Sequence, residues 1–137
     1  MIRGAASTKI LLFLAGSIAS IIGFASMIYP VQTEAGLGIV VGGSVSLLNE
    51  IRASGGGLAA AGIFILAGAF IAELRYAASL LAAMLYLGYA FARALSMTID
   101  GLPDPRLLVV VAAEIAIGLL CLAAFLNHQR RRNTHSQ

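Results

Sequence analysis

"RASGGGLAAAGIFILAGAFIAE", residues 52–73, places twenty uncharged residues in a row between Arg52 and Glu73. At about 1.5 Å of rise per residue, a helix of that length covers about 30 Å, the thickness of a bilayer's hydrocarbon core. The stretch therefore reads as a transmembrane helix. The composition agrees: of 137 residues, 60% are hydrophobic and 11% charged, with a mean hydropathy of +0.94. A soluble domain carries about 25% charged residues. The chain is expected to be an integral membrane protein.

Working outward, three more apolar runs of similar length appear. The first, residues 10–29, follows Arg3 and Lys9, so a signal peptide has to be considered, with Ala25-Ser26-Met27 as a poor cleavage site. The run is longer than an ordinary signal core of about 7–15 residues, which favours an uncleaved span. With its flanks the second span covers residues 50–73; the third runs over 76–98 and contains Arg93, and the fourth over 106–127 and contains Glu114. The prediction is one all-α domain over residues 1–137: a four-transmembrane-helix bundle with a basic tail at 128–137. The turn at Glu73-Leu74-Arg75 and the Pro-rich link at 100–105 are short, so spans two to four should be consecutive antiparallel neighbours.

Residues 30–48 form the long link between spans one and two, and their apolar stretch is too short to cross a bilayer. An interfacial helix or loop is expected there, with Gly42-Gly43 as a turn. Arg3, Lys9, Arg75 and Arg130 to Arg132 collect on one side and Arg52, Arg93 and Arg106 near the other. That bias predicts cytoplasmic termini and an outward-facing link. The net charge of +3 and pI near 9.5 are accounted for by these flanking residues, so no nucleic-acid partner is expected.

Small residues mark where helices approach. Ala15, Ala19 and Gly23 recur at spacing four on the first span, beside Gly16 and Ser20; the second carries Gly55, Ala59 and Gly62. Such stripes favour close crossings by van der Waals contact, within one chain or between copies. Cys121, with no second cysteine in the chain, reads as a small core residue.

A charge in the middle of a bilayer costs roughly 2.5–3.5 kcal/mol on insertion scales, so each ionisable residue within a span is a site hypothesis. Glu114 lies about 12 Å from the start of the fourth span, too deep for its short stem to reach the interface. Arg93 lies about 8 Å from the end of the third. On that span Tyr86, Tyr89, Arg93, Ser96 and Asp100 follow spacings of three and four, a polar stripe that should face the bundle. Tyr89 and Arg93 are placed to stack. With Asn49, Glu50 and Arg52 at the mouth of span two, a polar cluster is predicted in the outer half of the membrane, in which Glu114 meets Arg93 or Arg52.

Three readings of this cluster stand side by side. It is an ion-pair clasp that fixes helix register. Or it is a pocket in which Arg52 and Arg93 receive an anionic or polar head group. Or Glu114 carries protons. Glu73, Arg75 and the tail arginines read as topology signals, Tyr29 and Tyr76 as interfacial anchors, and His128 with His135 supply too few ligands for a metal site. No nucleophile elbow, phosphate-cradling loop or zinc spacing is present, so neither catalysis, metal nor cofactor is expected.

"NEIRASGG" at residues 49–56, Arg93 within "LGYAFARALSMTIDG" and Glu114 in the fourth span resemble the small four-helix bacterial proteins of domain-of-unknown-function family 4345. That resemblance covers nearly the whole chain and implies a four-helix fold in a bacterial inner membrane, with no activity to carry over. A weaker similarity, in the placement of Asn49 and the polar third span, runs to the ergosterol-biosynthesis membrane scaffold family, which implies a tethering role. Small multidrug exporters also have four spans, but their buried Glu lies in the first, where this chain has none.

The expectation that follows is a non-enzymatic accessory, scaffold or lipid-like-ligand-binding subunit acting through Asn49, Glu50, Arg52, Tyr86, Tyr89, Arg93 and Glu114. Membrane lipids, other membrane proteins or a second copy would be its partners. The alternative is a small proton-linked transporter using Glu114 and Arg93.

Overall fold

A computed structural model of the chain describes residues 2–134, with side chains described for residues 6–130. Arg3, Arg131, Arg132 and His135 of the sequence reading lie outside the described side chains. The described residues form α1 (Ile2–Ile28), α2 (Pro30–Gly36), α3 (Val45–Phe70), a single 3-10 turn (Ala72–Leu74), α4 (Arg75–Asp100) and α5 (Pro105–Thr134), with no strand among them. Four of these helices, α1, α3, α4 and α5, are long and apolar enough to cross a membrane, which fits a multi-pass membrane protein.

Local chemistry sets the breaks. A residue before proline is pushed out of the helical region, and Tyr29, with φ −124° and ψ 57°, ends α1 while Pro30 opens α2 from its first turn. Gly38 takes a positive φ of 80° after α2, and a Cβ there would lie 2.6 Å from the Asp104 carboxylate, so the position excludes side chains on two counts. The long link is thus a short helix followed by a turn at 37–38 and irregular chain, with a bend at Gly43.

The second long helix begins earlier than residue 50, because Ser44 caps it: its hydroxyl accepts from the Leu47 amide at 3.3 Å. It also ends earlier than residue 73, at Phe70, where the chain turns through Ile71 in extended geometry into the 3-10 turn. Gly101, at φ 96°, terminates α4. Pro105 opens α5, and the Asp104 carboxylate accepts from the Arg106 amide at 2.9 Å.

The small-residue stripes are used within the chain. A Cβ on Gly16 would come within 2.7 Å of the Leu66 Cα, one on Gly23 within 2.7 Å of the Ala59 Cα, and one on Gly55 within 2.8 Å of the Gly23 carbonyl. The backbones of α1 and α3 therefore touch along several turns, as small-residue packing in lipid requires. Packing is most extensive between α1 and α3 and next between α4 and α5, so the bundle is two tight pairs. The consecutive contact of α3 with α4 is present but smaller.

Leu12, Ile65, Ser79 and Cys121 are fully buried where these pairs meet. Ser79 donates to the Arg75 carbonyl one turn back, which satisfies its hydroxyl inside the helix. Large apolar side chains such as Phe13, Ile21, Phe91 and Val109 point outward around the bundle, a distribution suited to lipid as the solvent.

Candidate functional site

Between the two helix pairs, α4 contributes Arg93 and α5 contributes Glu114, with Arg93 Nε 3.3 Å from Glu114 Oε1. Glu114 sits about 13 Å along α5 from Pro105 and is only 8% exposed. A carboxylate so placed needs a partner, and an arginine is suited to supply one. The contact is a single hydrogen bond rather than a two-pronged fork, and Glu114 Oε2 is buried with no hydrogen-bond partner.

Beside this pair lies a cavity of about 460 Å³, within the range typical of small-molecule sites, about 300–1,000 Å³. Its walls are mostly apolar: Ile18, Ala19 and Ile22 from α1, Leu58 from α3, Leu85 from α4, and Val110, Ala113 and Ile117 from α5. The polar wall groups are Thr33, Tyr86, Tyr89, Arg93 and Glu114. Arg93 also borders a smaller cleft of about 90 Å³ with Ser96, Met97, Gly101, Pro103 and Leu107.

Tyr86 is buried and donates its hydroxyl to the Ala15 carbonyl at 2.7 Å, tying α4 to α1 across the cavity's edge. The second lone pair of a helical carbonyl makes such a bond compatible with an intact α1. The short α2 closes one end through Thr33, Gly36 and Leu37. It is held by Arg106, whose Nη1 donates to the Gly36 carbonyl at 3.4 Å and whose Nε lies 3.8 Å from Asp104.

The predicted cluster forms only in part. Tyr86, Tyr89, Arg93 and Glu114 meet around one cavity, and of the two partners expected for Glu114 it is Arg93 that pairs with it. Arg52 does not join them: its Nη1 donates to the Met27 carbonyl at 2.5 Å and so satisfies a last-turn oxygen of α1. Asn49 and Glu50 are exposed on the first turns of α3 and do not line the cavity. Among the described residues, only Arg52 of these three has a hydrogen bond across to α1, at the Met27 carbonyl.

Further along the α4 stripe, Ser96 donates to Asp100 at 2.8 Å on an exposed surface. Arg93 turns to Glu114, and among the described residues no stack of its guanidinium on Tyr89 is formed. Arg75, read as a topology signal, is buried at the start of α4 with its Nε unpartnered. Tyr76 lies with its ring 4.7 Å from that of Phe125, linking α4 to α5.

The sequence reading missed the α2 wall and the α1 wall. Pro30 followed by Thr33 and the glycines at 36 and 38 marks a short capped helix, but nothing in that pattern says that its inner face covers a cavity. Ile18 and Ile22 look like any other lipid-facing residues in sequence, and only the structure shows that they line the cavity with α4 and α5. Among the described residues, no group of three or more His, Cys, Asp or Glu side chains could hold a metal ion.

The sequence profile of the family described as "Domain of unknown function (DUF4345)" matches residues 7–125. The chain belongs to this family. The match takes in α2 and α3 and includes Tyr86, Arg93 and Glu114, so the whole cavity lies within the part that defines family membership. No curated protein and no solved structure matches the chain.

Proposed function

We propose that this DUF4345 protein is a non-enzymatic bacterial inner-membrane protein that holds a lipid-like molecule in the cavity beside Arg93 and Glu114. The observation that carries the reading is an apolar cavity of about 460 Å³ with a part-buried ion pair in its wall. Close packing is the rule inside proteins, and an apolar void of this size forfeits dispersion contacts that an occupant restores. In this reading both termini are cytoplasmic, the α2 link faces outward, and the protein serves as an accessory subunit that carries or presents its ligand.

Native mass spectrometry of gently extracted protein tests this. Wild type is expected to carry an apolar adduct of a few hundred daltons, and Ala113→Phe, which fills the cavity from α5, is expected to lose it. An adduct retained in full by Ala113→Phe overturns the reading.

A second reading is a small proton-linked transporter, favoured by one observation: Glu114 is buried and keeps an unpartnered oxygen. Proton-driven flux in proteoliposomes that is abolished in Glu114→Gln would support it, and unchanged flux would dismiss it.

A further inference from the structure

We infer that the cavity selects a neutral alcohol: a long or polycyclic apolar body ending in one hydroxyl, which donates to Glu114 and accepts from Arg93. This rests on the ligand-binding reading above and sharpens it, because the wall polarity discriminates among head groups.

Charge comes first. Among the described residues, Arg93 and Glu114 are the only ionised side chains lining the cavity, and they pair with each other, so the wall is neutral in sum. Arg52 and Arg106, the other cations near this end of the bundle, are committed to the Met27 and Gly36 carbonyls. A carboxylate or phosphate entering the cavity would meet Glu114 with no spare cation behind it, and an ammonium would meet Arg93 with no spare anion. Either leaves an uncompensated charge in a low-dielectric site.

Hydrogen-bonding capacity comes second. Both hydroxyl protons at Thr33 and Tyr86 are already used, on the Tyr29 and Ala15 carbonyls, so these two groups offer the cavity only acceptor oxygens. Glu114 Oε2 is a third acceptor, buried and without a donor. Glu114 lines the cavity, and because rotation about the terminal torsion of a glutamate is broad, Oε2 can reach a group held there. A buried acceptor without a donor is costly, and a ligand O–H relieves that cost.

An ammonium supplies the donor only together with a charge that the paired wall does not balance. A hydroxyl donates its proton to Oε2 without a charge, and its lone pairs can accept from the guanidinium. An alkane does neither and would leave Oε2 as it is.

Four probes with one sixteen-carbon body test this: hexadecan-1-ol, hexadecylamine, hexadecanoate and hexadecane. Each is offered at equal concentration to the full chain in detergent micelles, and bound molecules are counted by native mass spectrometry in wild type and in Ala113→Phe. The alcohol is expected to bind about tenfold more tightly than any of the others, the discrimination that one net hydrogen bond provides. Ala113→Phe is expected to abolish that binding. In Glu114→Gln, where the wall becomes cationic, preference is expected to pass to hexadecanoate; a residue that served packing alone would not reorder the probes.

Equal binding of all four, or preference for the acid or the amine in wild type, with loss in Ala113→Phe, overturns the alcohol and leaves the cavity as a ligand site. Binding that survives in Ala113→Phe, or no binding of any probe, overturns both. The wild-type ranking decides the matter even where a charge variant fails to fold.

Discussion

The Tyr86 hydroxyl lies 2.7 Å from the Ala15 carbonyl, a buried hydrogen bond between α4 and α1 across 71 residues of chain. It joins the two tight helix pairs at the edge of the cavity, where packing alone leaves space. Tyr86→Phe keeps the ring and removes only this bond. The expected loss is about 1 kcal/mol, in line with interhelical hydrogen bonds in membranes. Unfolding by sodium dodecyl sulfate in mixed micelles measures it, and an unchanged midpoint would show that the bond carries no net stability.

The α1–α3 crossing depends on the absence of side chains. Gly23→Leu places atoms where the Ala59 backbone runs, and the two helices must separate. A loss of about 1–3 kcal/mol or more is expected from overpacking of this kind. Gly57→Ala, on the same helix α3 with nothing within 4 Å, is expected to stabilise by up to about 1 kcal/mol through helix propensity. The same micelle unfolding assay compares them; equal effects would mean that the close approach is not a packing contact.

Much of this architecture was legible in sequence. Twenty uncharged residues between Arg52 and Glu73 allow little besides a membrane helix, and the spacing of Gly16, Gly23, Gly55 and Gly62 marks the faces that touch. That Glu114 needs a cation was also legible from its depth, with Arg93 and Arg52 both open as partners, and the structure pairs it with Arg93. Arg52 misled because linear proximity to a span says nothing about rotation around it. In the structure its guanidinium reaches the Met27 carbonyl at the end of α1 instead. The cavity itself was not legible, since a void is a property of how two helix pairs splay and not of any residue pattern.

The Arg93–Glu114 contact makes a further prediction. Arg93→Met leaves a buried carboxylate without its cation and is expected to destabilise by several kcal/mol, whereas Arg93→Met and Glu114→Leu together are expected to cost much less. A double-mutant cycle on the unfolding midpoint measures the coupling. Strict additivity would mean that the pair does not interact.

Arg106 is expected to hold α2 over the cavity. Arg106→Ala removes the contact to the Gly36 carbonyl while leaving the Asp104 cap of α5 in place. Hydrogen exchange at residues 33–38 should quicken, with exchange in the middle of α3 unchanged. Equal protection in both proteins would show that α2 is held by other contacts.

The central claim is that the space beside Arg93 and Glu114 is occupied by an apolar molecule. Photo-crosslinking with a diazirine placed midway along hexadecan-1-ol, followed by peptide mapping, tests it most directly. Label is expected on the cavity-lining residues Ile18, Ile22 and Leu85, lost on competition with unlabelled alcohol. Label confined to outward residues such as Phe91 and Val109, insensitive to competition, would contradict it.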